Sequence, residues 1–345
     1  MMKMGVEHEF VFKDDRGTYL DFETAEYSIF QKIINEFPYF ENDDTFFDCK
    51  SLEQKPKRCY IEGFERYDIN GKLIETVPKG LEIRTLPHTN IDTVIKDFTN
   101  SYTCLMRSAE KFGFSPLLTS IHPFKSSVHF KKPLNRAEIA LRTDEELTIA
   151  TDALLWHGIH INVSISSASK EQMTDLLQKV NYYAPYIIPF SFSSPFHDGK
   201  VFDGLSYRTY RKAKTRKVIQ LQNRKGVYVL EFRGFDSCGD VKLLKSLLLL
   251  YKGLLLDKSL KQRASFQNPE LLEHSALKGF EDETIRKEGL NVLKAVRAVI
   301  QDEKEALQML ENMLYINDSY ASKIKQIYLE TGDIMKSISN RYHYD

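Results

Sequence analysis

The stretch Val6-Glu7-His8-Glu9-Phe10 lies in a strand expected over residues 5–13 and changes character at every step. Successive side chains of a strand point to opposite faces, so Glu7 and Glu9 share one face while Val6, His8 and Phe10 take the other. Three further segments repeat the arrangement. In Leu81-Glu82-Ile83-Arg84, the pair Glu82 and Arg84 opposes Leu81 and Ile83. In Ile159-His160-Ile161-Asn162-Val163-Ser164, the residues His160, Asn162 and Ser164 oppose three branched apolar ones. In Leu230-Glu231-Phe232-Arg233, Glu231 and Arg233 oppose Leu230 and Phe232.

Any one such strand also fits an antiparallel sheet with one solvated face. A wet face, however, uses Lys, Thr, Ser and Gln freely, whereas here carboxylates recur with an imidazole and guanidinium groups. Clustered carboxylates repel one another unless a cation neutralises them. A hard divalent ion suits them, since Mg²⁺ and Mn²⁺ prefer oxygen ligands and tolerate an imidazole. Arginines nearby would then bind phosphate or carboxylate bidentately. The sequence holds no GxxxxGK[ST] loop and no GxGxxG opening a helix, so a nucleotide would be held by metals and arginines.

Around these strands the order of elements is mixed, with strands early and helices late, which predicts an α+β fold. Further strands are expected over 59–67, 72–77, 80–87, 217–221 and 226–235. Helices are expected over 23–37, 92–112, 135–151, 170–188, 240–262, 281–312 and 317–340, and loops over 41–57 and 189–204. The 345 residues show no internal repeat or low-complexity linker. A single catalytic domain over 1–345 is therefore expected, with a sheet-bearing core over 1–240 and a helical part over 241–345 packed on it.

Lys+Arg and Asp+Glu both total 48, which removes any global charge bias toward nucleic acid or an anionic membrane. The basic run Arg208, Arg211, Lys212, Lys214, Arg216, Lys217 reads as a phosphate-binding loop or a solvated one; without a net positive charge, nucleic acid is not expected as a partner. Cys49, Cys59, Cys104 and Cys238 lack CxxC spacing and, with no secretion signal, read as reduced thiols of a cytoplasmic protein. No apolar run reaches the roughly 20 residues of a membrane helix, so no membrane partner is expected. His8, His157, Trp156 and Cys238 are expected in the core, and His122 in a turn.

The motifs resemble those of the glutamate–cysteine ligase type 2 family of carboxylate–amine ligases. Gly5-Val6-Glu7-His8-Glu9 resembles its GxExE strand, Leu81–Thr85 its second acidic strand, and Ser120–Phe124 the short segment that follows. Gly158-Ile159-His160-Ile161-Asn162 resembles GxHxH. Ser193-Ser194-Pro195-Phe196 with Gly199, Gly204 and Ser206-Tyr207-Arg208 resembles SSPF…G…G…SxR, and Glu231-Phe232-Arg233 with Asp236 the closing ExR strand. The resemblance covers about two-thirds of the chain, in family order. It implies a glutamine synthetase-like fold: a curved antiparallel or mixed sheet of about six strands, helices on the convex face, and ATP with two or three Mg²⁺ ions (or Mn²⁺) on the concave one.

By the same resemblance, Glu7, Glu9, Glu82, His160 and Glu231 would be metal ligands, with Glu75 as a further one. Arg208 and Arg233 would contact phosphate or the substrate carboxylate, and Arg84 and Ser206 would help bind the nucleotide. Asn162 departs from the family's second His. The implied activity is an ATP-dependent ligase that joins a small-molecule carboxylate to an amine through an acyl phosphate. Its substrates would be amino acids or a peptide, and a homo-oligomer is compatible with it. Glutamate and cysteine are not inherited from the family's name. Alternatives are a related amidoligase acting on a peptide or cell-wall amine, a phosphotransferase of the same superfamily, and a non-catalytic nucleotide-binding homologue.

Overall fold

The computed structural model of the protein describes residues 1–48, 57–316 and 319–339. Its strands are β1 Met2–Asp14, β2 Tyr19–Leu20, β3 Cys59–Tyr67, β4 Leu73–Arg84, β5 Phe114–Leu117, β6 Ile159–Ile165, β7 Phe196–His197, β8 Lys200–Val201, β9 Ile219–Arg224 and β10 Val227–Phe232. The main sheet runs β3-β4-β1-β6-β10-β9, every neighbouring pair antiparallel, while β2 and β5 pair with the far end of β1. Six strands and a curved antiparallel sheet agree with the sequence expectation. The long β1 is its axis: Met2–His8 pair with β6, Glu7–Phe10 with β4 and Val11–Asp14 with β5.

The apolar face of each strand is sealed by helices. Met4, Val6, Phe10, Leu81, Ile83, Ile159, Ile161, Val163, Leu230 and Phe232 are all buried in one core. The helix Ile91–Glu110 brings Val94, Phe98, Tyr102 and Leu105 to that core at helical spacing. The helix Val241–Leu256 is leucine-rich on nearly every side, with Leu243, Leu244, Leu247, Leu248, Leu250 and Leu254 buried. Such a helix must be covered all round, and it packs against 91–110, 170–187, 283–299 and 304–316. No helix among the described residues is long and apolar enough to cross a membrane.

Several boundaries differ from expectation, each for a local reason. Residues 135–151 form two helices, Arg136–Ala140 and Asp144–Asp152, because Asn135/Glu138 and Thr143/Glu146 each close a capping box. The expected helix over 281–312 ends at Val299 and restarts at Lys304. The basic run is mostly not a loop: Arg208, Arg211, Lys212 and Lys214 lie on the helix Tyr207–Thr215, N-capped by Ser206, and only Arg216 and Lys217 follow it. Segments 72–77 and 80–87 join into one strand, β4, hairpinned onto β3. The last expected helix is two, Tyr320–Thr331 and Ile334–Ile338. Residues 317, 318 and 340 of that expectation, and residues 49–56 of the expected 41–57 loop, Cys49 among them, lie outside the described residues, while Asp43–Phe46 of that loop form a helical turn. No disulfide joins Cys59, Cys104 or Cys238 among the described residues.

Candidate active site

Antiparallel register carries the polar face of the sheet from strand to strand. Glu9 stands opposite Glu82, and Glu82 opposite Tyr60. Glu7 is flanked by Arg84 on one side and His160 on the other. Glu231 stands opposite Asn162 and Gln220. Cross-strand neighbours on one face lie about 5 Å apart at Cβ, so residues scattered between Glu7 and Arg233 meet in a single cleft of about 1150 Å³. Glu7, Glu9, Glu82, Arg84, His160, Glu231, Arg208 and Arg233 all line it.

Two donor triads form on this face. Glu7, His160 and Glu231 bring ligand atoms within 4.8 Å of one another, and so do Glu9, Glu62 and Glu82. His160 Nδ1 lies 3.6 Å from Glu7 Oε2 and 3.8 Å from Glu231 Oε1, too long for hydrogen bonds and open enough for an ion between them. Burial, reinforced by Glu7, Glu62 and Glu9, pushes the Glu82 carboxyl well above the usual range. Tyr60 donates to Glu82 at 2.5 Å, which leaves the repulsion among three carboxylates in place. All-oxygen and oxygen–imidazole donor sets of this kind fit Mg²⁺ or Mn²⁺. Glu7 feels the opposite balance: burial raises its pKa, but His160, Arg224 and Asn162 outweigh that and hold it low. Asn162 lines the cleft, opposite Gly5 and Glu231 in the register.

Cations border the carboxylates. Lys79 Nζ donates to Glu9 Oε1 at 2.7 Å and to the carbonyl of Trp156 at 2.8 Å. Burial pushes the Glu9 carboxyl up, yet Lys79 and the imidazoles of His160 and His157 bring it down to about 2. Arg233 forks onto Glu231 with both bonds at 2.8 Å, and Gln222 donates to the same carboxylate. Arg208 is 1% exposed. It donates to the carbonyls of Gly234 at 3.1 Å and Arg233 at 3.0 Å, and to Asp236 at 3.4 Å. Asp236 in turn accepts from Ser193 N at 3.1 Å and Ser194 Oγ at 2.7 Å. The serine-rich motif is therefore the clamp that sets this arginine.

Two expected site residues are not in the cleft. Ser206 is fully buried, caps the helix Tyr207–Thr215 by accepting from Thr209 N at 3.0 Å, and shares a hydrogen bond with Ser194; its part is to start the helix that carries Arg208. Glu75 pairs across from Arg66 on the outer half of β4, about seven strand residues or roughly 23 Å from Glu82, and does not line the cleft. Arg84 does line it, but its guanidinium is sandwiched between Phe47 at 4.4 Å and Tyr60 at 4.3 Å and donates to the Lys57 carbonyl.

Glu62 and Lys79 escaped the sequence reading. Glu62 shares a face with Tyr60 on β3, a strand whose alternation carries a signal like that of the other four. Lys79 has no such signal: β3 pairs Glu62 with Gly80 and Gly63 with Pro78, so Lys79 is the extra residue of a bulge, and bulges re-aim side chains. His157, expected in the core, is buried but also lines the cleft, as does Trp156. His8 lies in the core as expected, stacked on Phe10 with ring centres 4.2 Å apart.

A sequence model of glutamate-cysteine ligase family 2 matches residues 3–215. A protein of Ruegeria pomeroyi, whose name gives it a provisional assignment as glutamate–cysteine ligase 2, is 26% identical over 131 residues, 37% of this chain and 32% of that protein. Among solved structures, a bifunctional glutathione synthetase from Pasteurella multocida aligns over 98% of this chain and 51% of its own, with TM-score 0.61 and 14% identity. A glutamate–cysteine ligase from Francisella tularensis, solved in complex with AMP, aligns over 98% of this chain and 86% of its own, with TM-score 0.60 and 13% identity. The chain thus spans about half of the Pasteurella protein, and its match covers about a third of the Ruegeria one. At such identities the two structures share the fold.

Proposed function

The chain belongs to glutamate-cysteine ligase family 2, and from that premise we propose that it is an ATP-dependent carbon–nitrogen ligase joining a small carboxylate to an amine. The observation that carries the reading is two carboxylate-bearing donor triads on one concave sheet face, bordered by Lys79, Arg208 and Arg233. AMP in the Francisella relative supports a nucleotide on the same fold.

In this reading Glu7, His160 and Glu231 hold one divalent ion and Glu9, Glu62 and Glu82 a second. Bound there, Mg²⁺ or Mn²⁺ would neutralise the charge of the ATP phosphates. Arg233, on the rim of the cleft and 31% exposed at its side chain, is the cation that would face a phosphate oxygen. Arg208, fixed from below, supplies a set positive charge. A carboxylate oxygen of the acid attacks the γ-phosphorus and ADP leaves with the electron pair of the broken P–O bond. The amine nitrogen then attacks the acyl carbon, phosphate departs, and the nitrogen loses a proton. No protein nucleophile takes part, in keeping with Cys238 being buried. The chain's share of the work is positioning and charge stabilisation.

The test is an ADP and phosphate release screen over pairs of acids and amines, with products identified by mass spectrometry. Turnover that requires both co-substrates is expected. A phosphorylated product formed without an amine would replace the ligase by a phosphotransferase. Nucleotide binding with no turnover under any pair would make the chain a non-catalytic homologue.

A further inference from the structure

The segment Trp156-His157-Gly158 and the helix Tyr207–Thr215 meet along one wall of the cleft, and the polar groups there are out of balance. Trp156 Nε1, both ring nitrogens of His157, and Arg208 Nε are buried without a hydrogen-bond partner. All three residues line the cleft, and each is more than nine-tenths buried. Burial keeps His157 neutral, so one of its nitrogens donates and the other accepts. With Trp156 Nε1 and Arg208 Nε that makes three unmet donors, each costing about 1–3 kcal/mol, and such a cluster on a cleft wall points to a partner that arrives from the cleft.

The chemistry of that partner follows from what is missing. The backbone acceptors nearby are already engaged: the Trp156 carbonyl receives Lys79, and the Arg233 carbonyl receives both Lys212 and Arg208. Negative charge is short as well. Glu9, Asp236 and Glu231 pair with Lys79, Arg208 and Arg233 respectively. Lys212 and Arg216 stand over the Trp156 ring at 5.6 and 4.6 Å with no carboxylate in ion-pair contact among the described residues. Burial, added to by Arg208 and Arg233, pushes the Lys212 ammonium well below its usual range. Donors exceed acceptors and cations exceed anions, so a metal ion is excluded by charge and a neutral ligand would relieve only the first shortage.

We infer that this wall is a preformed oxyanion pocket, distinct from the two donor triads, in which Trp156, His157, Arg208 and Lys212 receive a carboxylate or phosphate group of a bound ligand. It adds to the ligase reading a place for an anionic group of the acid, the nucleotide or the released phosphate. Its occupancy is measurable without any turnover.

Trp156 is the only tryptophan of the chain, so fluorescence excited at the red edge, beyond tyrosine absorption, reports on this wall. The full chain is titrated at constant ionic strength, without metal or nucleotide, with orthophosphate, with succinate and with acetate, chloride serving as the replaced salt. A saturable change with at least one oxyanion is expected. Saturation by orthophosphate alone identifies a phosphate group as the occupant; saturation by the carboxylates identifies the acid. Lys212→Met should weaken that binding about tenfold or more, the equivalent of one charge-assisted hydrogen bond, and His157→Gln should weaken it by a smaller factor. Lys214→Met, on the same helix but 64% exposed and paired with Glu273, should leave it unchanged. The pocket is refuted if no oxyanion saturates in the native chain, or if a folded Lys212→Met chain binds like the native one. Ligase turnover with a silent titration would overturn the pocket and leave the ligase reading standing; saturable binding without turnover would do the reverse.

Discussion

Replacing Gly158 by alanine would place a methyl 2.4 Å from Nη2 and 2.8 Å from Cζ of Arg208. Ordinary van der Waals contact begins at 3.4 Å, so the guanidinium must move by about 1 Å. A surface arginine would do so freely. Arg208 is fully buried and tied to two carbonyls and Asp236, so the movement either strains the packing or lengthens charged hydrogen bonds. Overpacking costs about 1–3 kcal/mol and one weakened charge-assisted bond about 1.5–3; as alternatives, they give about 1–3 kcal/mol. With an unfolding entropy of about 2.1 cal/mol/K per residue, the 345 residues convert this to a Tm lower by about 1–4 °C. A 1 Å displacement of a positioned cation should also lower kcat/KM about a hundredfold. Differential scanning calorimetry reads the first effect and ADP release the second. Gly239→Ala, whose new methyl would meet Leu118 at 3.3 Å and Tyr320 at 3.4 Å, is the control and should cost under about 1 kcal/mol. A Gly158→Ala chain with unchanged Tm and turnover would refute the claim that this glycine exists to admit Arg208.

Glu62→Gln and Glu82→Gln should each weaken Mn²⁺ binding about tenfold or more, since even outer-sphere changes cost that much. Glu75→Gln should not; calorimetric titration distinguishes them, and equal losses at 62 and 75 would dissolve the second triad. His8 is held near pKa 3 by burial, against 6.5 in an unfolded chain. The unfolded chain alone gains that proton as pH falls, so the contribution is whole above about pH 6.5 and declines toward pH 3 by about 1.4 kcal/mol per unit. Urea midpoints between pH 7 and 4.5 should therefore fall less steeply in His8→Phe than in the native chain; parallel curves would contradict the burial of a neutral imidazole. Lys79→Met leaves the buried Glu9 carboxylate without its cation and should cost about 3–5 kcal/mol. Most of that loss should return in Lys79→Met/Glu9→Gln, as measured by denaturant midpoint, and a single variant of native stability would deny the pair its role.

The sheet was legible because its chemistry has period two. Glu7/Glu9, Glu82/Arg84, His160/Asn162 and Glu231/Arg233 each announce a polar face two residues at a time, and register then brings them together without help from loops. Reading failed where that period fails. The bulge at Lys79 inserts one residue into β4, which turns a lysine into the cleft; Glu75 is out of reach because it lies on the outer half of the same strand. Ser206 shows a different limit: a motif gives a residue's place but not its partner, and this hydroxyl is engaged as a helix cap. The helical half was coarser still. Capping boxes at Asn135 and Thr143 were present in the sequence, but the apolar spacing ran across them, and the break at 300–303 carries no comparably strong stop signal.

These failures have a pattern that bears on what the protein recognises. Every residue placed correctly on the cleft from the sequence belongs to the carboxylate row, the adjoining imidazole or the arginines, groups whose chemistry is phosphate and metal. Glu62 and Lys79, which carry no such expectation, stand at the bulge between β3 and β4, while Trp156 and His157, buried as expected yet lining the cleft, come from the turn that leads into β6. Lys212, from the helix 207–215, joins them on one wall. A regular strand can change few of its polar positions without losing the metal face, whereas a bulge, a turn and a helix surface can vary independently of it. Discrimination among acids and amines would accordingly reside in that irregular wall. On this reasoning Lys212→Met should raise KM for one co-substrate with a smaller change in kcat, whereas Glu82→Gln should lower kcat for every acid–amine pair alike; if Lys212→Met instead lowered kcat equally for all pairs, the wall would belong to the phosphate chemistry and not to substrate choice.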